Sequence, residues 1–241
     1  MLADGRKVIV VIPAYNEKSR ISKALIGMPP EVDLPLVIDD GSTDGTAEAA
    51  RSCGATVFSL PKHSNLDTAL RTGFEIALCD GYPIVVVMAG NGKDDPRQIQ
   101  RLLRPIEEND YDFVQGSRYL SGGQCGHMPL HRIIGTRLYP WLIRLSTGFP
   151  ATDGTNGFRA FKASILRDPN IDICQPWLGR TGMEFYLALK VIKLGYRVIE
   201  VPVNKIYPTT SQYSSYTKVK PITDWWNILK PWCYLTLRLR K

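Results

Sequence analysis

Short apolar runs alternate with segments of helical periodicity over the first half of the chain. A β-branched run ends at Pro13, for example, and Ile21, Ala24, Leu25 and Met28 follow it at helical spacing. The predicted strands are Lys7–Ile12, Leu34–Ile38, Ala55–Leu60, Pro83–Met88 and Asp112–Gln115, and the helices predicted between them include Thr46–Ser52 and Arg97–Glu108. Such alternation predicts βαβ units, and therefore an α/β fold with a mostly parallel sheet flanked by helices.

The alternation weakens from Arg118 onward. The pattern there predicts a helix over residues 182–194 and a strand over Tyr196–Val203, with a polar turn at 153–161 that leads into another element. We expect this half to complete a site that the first half begins. The first half places polar, turn-forming clusters after three of its strands, at residues 13–17, 39–42 and 89–95. Ligands of parallel sheets bind at the carboxyl ends of the strands, so these clusters are expected to form one site.

Composition narrows the class of protein. With 241 residues, 44% hydrophobic and 22% charged, the chain can bury an ordinary core, which excludes a disordered chain. No apolar run approaches the roughly 18 residues of a membrane span, and the first residues lack the apolar region of a secretory signal, so we expect a cytoplasmic protein. Five scattered cysteines without a Cys-x-x-Cys pair argue against a zinc site or a disulfide framework.

The net charge of +7 is concentrated at one end. Residues 218–241 contain six basic residues and one acidic residue, so +5 of the +7 lies in this basic aromatic tail. The rest of the chain is almost neutral, which argues against nucleic-acid binding along a broad basic face. Trp225, Trp226 and Trp232 accompany the basic residues, a combination that favours peripheral contact with a membrane surface. The alternative is that the tail packs on the protein's own core or on a second subunit; the oligomeric state is open.

The acidic pair Asp39-Asp40, followed by Gly41, has two interpretations. A carboxylate at a strand end can accept hydrogen bonds from ribose hydroxyls or from a base, but it can equally cap the next helix. The cluster Pro13-Ala-Tyr-Asn-Glu17 is similarly ambiguous, because Tyr15 could stack on a base whereas Asn16 could be an ordinary cap.

Five motifs follow one another along the chain: Val11-Ile-Pro-Ala-Tyr-Asn-Glu17, Val37-Ile-Asp-Asp-Gly-Ser-Thr-Asp-Gly-Thr46, Gly116-Ser-Arg118, Gly157-Phe-Arg-Ala-Phe161 and Glu200-Val-Pro-Val203. In this order and spacing they resemble family-2 glycosyltransferases of the dolichyl-phosphate mannosyltransferase and polyprenyl-phosphate glycosyltransferase branch. The resemblance covers roughly residues 7–205 and implies a GT-A fold, a UDP- or GDP-linked sugar donor and inverting transfer. It implies one domain over residues 1–217, with a nucleotide-sugar-binding half (1–118) and an acceptor half (119–217).

The resemblance also assigns residues. It implies that the nucleotide sugar is bound by Pro13, Ala14, Tyr15, Glu17, Asp39, Asp40, Arg118 and the loop Ala89, Gly90 and Asn91, and we expect Lys93 of the same loop to take part. Arg118 is expected beside the donor diphosphate, and Asp153 and Glu184 match acidic positions near the acceptor. If the acceptor is a polyprenyl phosphate, its oxygen is already anionic and needs no strong base. If it is the hydroxyl of a small molecule, Asp153 is the first candidate for the base and Glu184 the second.

The chain departs from the family at the loop after the fourth strand. Where the family has Asp-x-Asp, this chain has Ala89-Gly90-Asn91, so a Mg or Mn ion would have Asn91 and the nearby Asp94 as its candidate ligands. An amide oxygen is a poorer ligand for such a cation than a carboxylate. Asp95 before Pro96 is the pattern of a helix cap. Lys93 could neutralise phosphate directly, with help from Arg118, or it could be a solvated lysine.

Two further departures concern the helix after the third strand and the acceptor end. Asp67 stands where the family often has glycine; it could replace the lost acidity, and we favour a cap of its own helix. The family's basic residue after Glu200-Val-Pro-Val203 is matched by Pro208, so Lys205 or Lys218 could supply charge there. The loss of Asp-x-Asp leaves a second hypothesis open: a catalytically degenerate scaffold that acts as a membrane-associated binding protein.

Overall fold

Seven strands form the central sheet of the computed structural model, which describes residues 2, 5–126, 128, 130–179, 181–207 and 223–239. Together with two short strands outside this sheet, the described strands are β1 (Val8–Ala14), β2 (Leu34–Asp39), β3 (Thr56–Ser59), β4 (Ile84–Val87), β5 (Phe113–Ser117), β6 (Gln124–Gly126), β7 (Arg159–Lys162), β8 (Val198–Pro202) and β9 (Asn204–Ile206). The helices are α1 (Ile21–Leu25), α2 (Thr46–Ser52), α3 (Leu66–Cys79), α4 (Ile99–Asn109), α5 (Leu130–Thr147), α6 (Met183–Lys193) and α7 (Thr223–Thr236).

The order of strands in the sheet is β3-β2-β1-β4-β7-β5-β8. Only β7 runs antiparallel to its neighbours, β4 and β5, and the other pairs are parallel. A separate parallel pair, β6 and β9, lies beyond the sheet and follows the ends of β5 and β8 in sequence. The carboxyl ends of β1, β2 and β4 are therefore neighbours, as the sequence predicts.

Both faces of the sheet are covered by helices. Successive residues of β1 alternate between the two sides, so Ile9 and Val11 belong to one hydrophobic cluster and Val8 and Val10 to the other. The first cluster includes residues of α3, α5, α6 and α7, and the second includes residues of α1, α2 and α4. Burial on both faces explains why these strands are continuous apolar runs rather than alternating ones.

The predicted α/β architecture is confirmed. The bounds of α2 are those expected, and β4 lacks one expected residue at each end; at its start, Pro83 has no N–H to give to the strand pairing. A 3₁₀ turn at Pro96–Gln98 precedes α4, and Asp95 caps this turn by accepting a hydrogen bond from the Arg97 N–H at 3.1 Å. The cap expected at Asp95 is thus confirmed.

Helix α5 is a long helix that the sequence analysis did not predict. It contains Gly135 and Pro140, two residues that disfavour helix interiors. Packing explains the glycine, since a side chain at position 135 would place its Cβ 1.9 Å from the Trp225 ring of α7. Tertiary contact with α7 therefore offsets a weak intrinsic helix preference.

The described part of the tail is divided between the core and the surface. The indole N–H of Trp232 on α7 donates to the Leu142 carbonyl oxygen of α5 at 2.9 Å, and Leu235 is buried. Trp226, Leu237 and Leu239 are each more than half exposed. Residues 208–222 and 240–241, including Lys218, lie outside the described residues. No described helix combines the length and the apolar character needed to cross a membrane.

Candidate active site

The ends of β1, β2 and β4 are joined by backbone hydrogen bonds. The Asp40 N–H donates to the Ala14 carbonyl at 2.8 Å, and the Gly90 N–H donates to the Pro13 carbonyl at 3.1 Å. A side chain at position 90 would meet this carbonyl and the side chain of Ala14 at 3.0–3.1 Å, so glycine permits the close approach. The three predicted polar clusters therefore meet at one edge of the sheet.

Asp40 connects this edge to the loop before α3. Its carboxylate lies 2.8 Å from Nδ1 of His63 and accepts a hydrogen bond from the Ser64 N–H at 2.8 Å. The His63 ring stacks on the Tyr15 ring, with the centroids 3.7 Å apart. Gly41 makes this approach possible, because it has a φ of +69° and a Cβ there would lie 2.5 Å from the His63 backbone. The result is an aromatic platform beside a buried carboxylate.

The turn after β1 organises the turn after β2. Asn16 has a φ of +52°, which asparagine tolerates, and its side-chain oxygen accepts a hydrogen bond from the Thr43 N–H at 2.9 Å. The Glu17 N–H donates to the Thr46 hydroxyl at 2.8 Å, and the Glu17 carboxylate pairs with Arg20. Asp39 accepts a hydrogen bond from the Ser42 N–H at 3.2 Å.

The loop after β4 places one amide and two charged side chains at the site. The side-chain oxygen of Asn91 accepts a hydrogen bond from the Lys93 N–H at 3.2 Å. Lys93 is buried, with its Nζ 5.0 Å from the centre of the Tyr207 ring. Both carboxylate oxygens of Asp94 accept hydrogen bonds from Nζ of Lys205, at 2.6 and 2.8 Å. Lys205 also donates to the Asn156 side chain at 3.1 Å.

Arg118 and Asp153 form the most extensive ion pair of the site. Arg118 donates to the Asp153 carboxylate through Nε at 2.6 Å, through Nη2 at 2.7 Å and through its backbone N–H at 3.1 Å. Thr155 donates to the same carboxylate through its N–H at 3.2 Å. Burial by itself would lower the pKa of Arg118, but the neighbouring Asp153 carboxylate raises it above its ordinary value. Arg118 also donates to the Tyr207 hydroxyl at 2.9 Å.

Glu200 fixes the backbone at Thr152 and Asp153 through hydrogen bonds. Its carboxylate accepts hydrogen bonds from the Thr152 N–H at 2.7 Å and from the Asp153 N–H at 3.0 Å. Burial raises the pKa of Glu200, and the hydrogen bonds from Thr152 and Asp153 oppose this shift. The motif Glu200-Val-Pro-Val203 thus supports the ion pair of Arg118 and Asp153.

Glu184 lies beside a second buried arginine. One of its carboxylate oxygens is 3.6 Å from Nη2 of Arg159, and a Cβ at Gly157 would lie 3.0 Å from the same oxygen. Arg159 donates to the Glu184 carbonyl at 2.9 Å and to the Asn156 carbonyl at 2.8 Å. Burial lowers the pKa of Arg159, and the attraction of Glu184 opposes this shift.

The expectation that Asp67 caps its own helix is wrong. Asn65 caps α3 by accepting a hydrogen bond from the Thr68 N–H at 3.0 Å. Asp67 instead accepts a hydrogen bond at 3.1 Å from the N–H of Met183, the first residue of α6, and so caps a helix distant in sequence. Burial, with a further contribution from the charge of Glu184, raises the pKa of Asp67 to about 7.

The site residues predicted from the sequence thus occupy two adjoining regions. One follows β1 and β2 and contains Tyr15, Glu17, Asp39 and Asp40. The other lies between the loop after β4 and the ends of β5 and β9, and contains Lys93, Asp94, Arg118 and Asp153. Sequence reasoning did not identify His63 or Tyr207 as parts of the site, because neither belongs to a recognised motif.

The family model described as Glycosyl transferase family 2 matches residues 9–168, two thirds of the chain. The chain belongs to this family. Undecaprenyl-phosphate mannosyltransferase of Micrococcus luteus is 32% identical over 82% of this chain and 82% of that protein. Polyprenol monophosphomannose synthase of Mycolicibacterium smegmatis is 29% identical over 82% of this chain and 77% of that protein. The family-2 assignment predicted from the motifs is confirmed, and the chain is a glycosyltransferase.

Solved structures agree on the fold of this family-2 chain. Glucosyl-3-phosphoglycerate synthase of Mycobacterium tuberculosis, crystallised with Mn²⁺, uridine diphosphate and phosphoglyceric acid, superimposes with a TM-score of 0.68 and 19% identity. The match covers 95% of this chain and 79% of that one. The GT-A fold expected from the motifs is therefore confirmed. Within the described residues of this chain, no three His, Cys, Asp or Glu side chains are grouped so as to hold a metal ion.

Proposed function

We propose that this chain is an inverting glycosyltransferase that moves a sugar from a UDP- or GDP-linked donor to a polyprenyl phosphate. The observation that carries the proposal is that the stacked rings of Tyr15 and His63, beside the Asp40 carboxylate, lie at the same edge of the sheet as buried cationic side chains that include Lys93 and Arg118. Relatives of 29–32% identity that are named as undecaprenyl- or polyprenol-phosphate enzymes support the choice of acceptor.

In this proposal residues 1–118 hold the donor and residues 119–217 hold the acceptor. The base and ribose bind beside Tyr15 and Asp40, with Pro13, Ala14 and Glu17 completing the pocket and Asp39 shaping the turn. The donor diphosphate lies toward the loop of Ala89, Gly90 and Asn91. Buried cations at that end stabilise the charge of the departing nucleoside diphosphate, because charge interactions are stronger away from water.

The reaction step follows from the charge of the acceptor. One phosphate oxygen of the lipid attacks the anomeric carbon of the sugar, and the bond from that carbon to the donor phosphate breaks. The bonding electrons leave with the nucleoside diphosphate, and the product is a sugar joined to the lipid through a phosphodiester. The attacking oxygen is already anionic, so no protein group has to remove a proton.

Asp153 fits a positioning role in this scheme. Its two oxygens accept hydrogen bonds from three N–H groups of Arg118 and from Thr155, which occupies the lone pairs that a base would use. We therefore assign to Asp153 the task of holding Arg118 toward the diphosphate. Glu184 similarly holds Arg159. A soluble hydroxyl acceptor would instead need Asp153 or Glu184 as a base.

An exposed apolar stripe on α5 supports an acceptor that resides in a membrane. Ile134, Leu138, Trp141 and Leu145 are each more than half exposed and lie on one helical face, at spacings of four, three and four residues. Helix α5 has no acidic residue, and Arg137 and Arg144 are exposed on it. Trp226 of α7, which packs against α5, is also exposed. Aromatic and aliphatic side chains flanked by arginines suit the surface of an anionic bilayer.

A transfer assay tests the proposed function. The purified chain is incubated with UDP- and GDP-linked sugars and, in parallel, with a polyprenyl phosphate, the corresponding polyprenol and a set of soluble sugars and phosphates. The proposal predicts a product only with the polyprenyl phosphate. A product with polyprenol or a soluble hydroxyl compound would show a different acceptor class. Absence of nucleotide binding and of any product would favour the degenerate binding protein.

A further inference from the structure

The loop after β4 is a poor site for a divalent cation. Such ions prefer anionic oxygen ligands, and the family's two acidic positions are occupied here by the methyl group of Ala89 and the amide of Asn91. The Asn91 oxygen already accepts a hydrogen bond from the Lys93 N–H. The two remaining carboxylates are neutralised as well, Asp94 by Lys205 and Asp95 by Arg97. The residues present therefore do not fit a cation that bridges the donor phosphates.

The charge around this loop favours an anion. Four basic side chains at the site are buried, Lys93, Arg118, Arg159 and Lys205. Asp94, Asp153 and Glu184 pair with Lys205, Arg118 and Arg159 respectively. Buried cationic side chains in a water-poor site attract a diphosphate and repel a further dication.

Tyr207 brings two of these cations together. Its ring lies under Nζ of Lys93 at 5.0 Å from the centroid, and its hydroxyl accepts the 2.9 Å hydrogen bond from Nη1 of Arg118. Lys93 is also fixed through its backbone, because its carbonyl accepts a hydrogen bond from the Ile206 N–H at 3.0 Å. Lys93 and Arg118 thus approach the same tyrosine from the loop after β4 and from the end of β5.

We propose that Lys93 and Arg118 bind the donor diphosphate directly and that this binding needs no divalent cation. Lys205 is a positioning residue that acts through Asp94. Its two hydrogen bonds to the Asp94 carboxylate keep the loop after β4 in place and leave this buried carboxylate unavailable to a cation. The inference rests on the proposed function, since it concerns the donor of that reaction. It specifies how the phosphate charge is neutralised in a chain that has lost the acidic pair.

Calorimetric titration of UDP and GDP, each with Mg²⁺, with Mn²⁺ and with EDTA, tests the inference. The expected result is that one nucleotide binds with the same dissociation constant in all three conditions, within about twofold. Binding that requires either cation would overturn the inference and leave the proposed function standing. Absence of binding in every condition would contradict the proposed function and the inference with it.

A substitution of Lys93 shows whether this side chain contacts phosphate or only supports the structure. Lys93→Met should weaken binding of the nucleoside diphosphate at least about tenfold, whereas binding of the nucleoside without phosphates should not change. Lys193→Met, at an exposed lysine at the end of α6, is the matched control and should bind both as the wild type does. Equal effects of Lys93→Met on nucleoside and diphosphate would contradict the phosphate contact.

A double variant, which keeps Lys93 and restores the family's acidic pair, tests the charge argument separately. Ala89→Asp with Asn91→Asp should make nucleotide binding depend on Mg²⁺ or Mn²⁺, because carboxylates are then placed where the chain now has a methyl group and an amide. In EDTA the double variant should bind the diphosphate more weakly than the wild type does. Cation-independent binding by the double variant with undiminished affinity would contradict the charge argument.

Discussion

Lys205 of β9 donates hydrogen bonds to both carboxylate oxygens of Asp94 and thereby ties the loop after β4 to β9. The two residues are 111 positions apart in sequence, and both are buried. A buried carboxylate that is bound in this way has its charge balanced within the protein. The pair therefore both fixes the position of the loop and neutralises its buried carboxylate.

Removing one partner of this pair should destabilise the fold. Asp94→Asn leaves the Lys205 ammonium buried without a counter-charge, and we expect the free energy of unfolding to fall by about 3–5 kcal/mol. Urea unfolding followed by circular dichroism measures the change. The matched control is Asp95→Asn, the same substitution at the neighbouring cap, which should cost less than about 1 kcal/mol because asparagine also caps helices. Similar losses for the two variants would contradict a special role for the buried pair.

Asp40 should control affinity for the nucleotide. Asp40→Ala removes the acceptor for the Ser64 N–H and the partner of His63, and thereby loosens the ring that stacks on Tyr15. We expect affinity for the nucleotide to fall about 10- to 100-fold, which corresponds to the loss of one or two charge-assisted hydrogen bonds. Calorimetry gives the dissociation constant, with Glu48→Gln, at an exposed position of α2, as control. An unchanged dissociation constant would remove Asp40 from the site.

Asp153 should affect the rate without setting the pH dependence. Asp153→Asn weakens the hold on Arg118, and we expect kcat to fall about 100-fold through misplacement of the guanidinium. The shape of the kcat/KM profile against pH should stay that of the wild type. Arg118→Lys, which keeps the charge but loses the two-pronged contact, should lower kcat similarly. Loss of one limb of the pH profile in Asp153→Asn would show that Asp153 is a base.

Asp67 should make stability depend on pH. Its pKa of about 7 in the fold exceeds the ordinary aspartate value of 3.8, so between pH 4 and pH 7 the folded chain binds more protons than the unfolded chain does. Stability contributed by the protonated form is then lost as the pH rises through this window, by at most about 4 kcal/mol. Asp67→Asn keeps an acceptor for the Met183 N–H and should flatten the curve. Urea unfolding at pH 4.5–8 measures the free energy of unfolding. Parallel curves of this free energy against pH for the wild type and for Asp67→Asn would contradict the prediction.

The exposed stripe on α5 should bind anionic bilayers. Trp141→Glu with Leu145→Glu places two negative charges on this face, and we expect co-sedimentation with vesicles of anionic phospholipid to fall at least about tenfold. Glu48→Gln is again the control. If the wild-type chain does not sediment with vesicles, or the double variant sediments equally well, α5 is not the contact surface.

The parallel sheet and the edge that carries the site could be predicted because local patterns determine them. Apolar runs ending at Pro13 and Asp39 specify strands, and the order of strand and helix fixes where their ends meet. The contacts between Lys205 and Asp94, and between Asp67 and Met183, could not be predicted in this way. Each joins residues more than 100 positions apart, and the local pattern indicates a different role for each acidic residue, a candidate metal ligand for Asp94 and a cap of its own helix for Asp67.

Helix α5 could not be predicted because its own residues argue against a helix. Gly135 and Pro140 argue against a helix when the segment is considered alone, and only the contact of Gly135 with Trp225 of α7 explains the glycine. The antiparallel direction of β7 likewise depends on how the sheet is completed rather than on the residues of that strand.

The stereochemistry of the product tests the central claim most directly. The wild-type chain is incubated with an α-linked nucleotide sugar and a polyprenyl phosphate, and the lipid product is analysed by ¹H and ³¹P nuclear magnetic resonance. In-line attack by the phosphate oxygen predicts a β-linked sugar joined through a phosphodiester. An α-linked sugar, or a sugar attached to any atom other than a phosphate oxygen of the lipid, would contradict the proposed reaction.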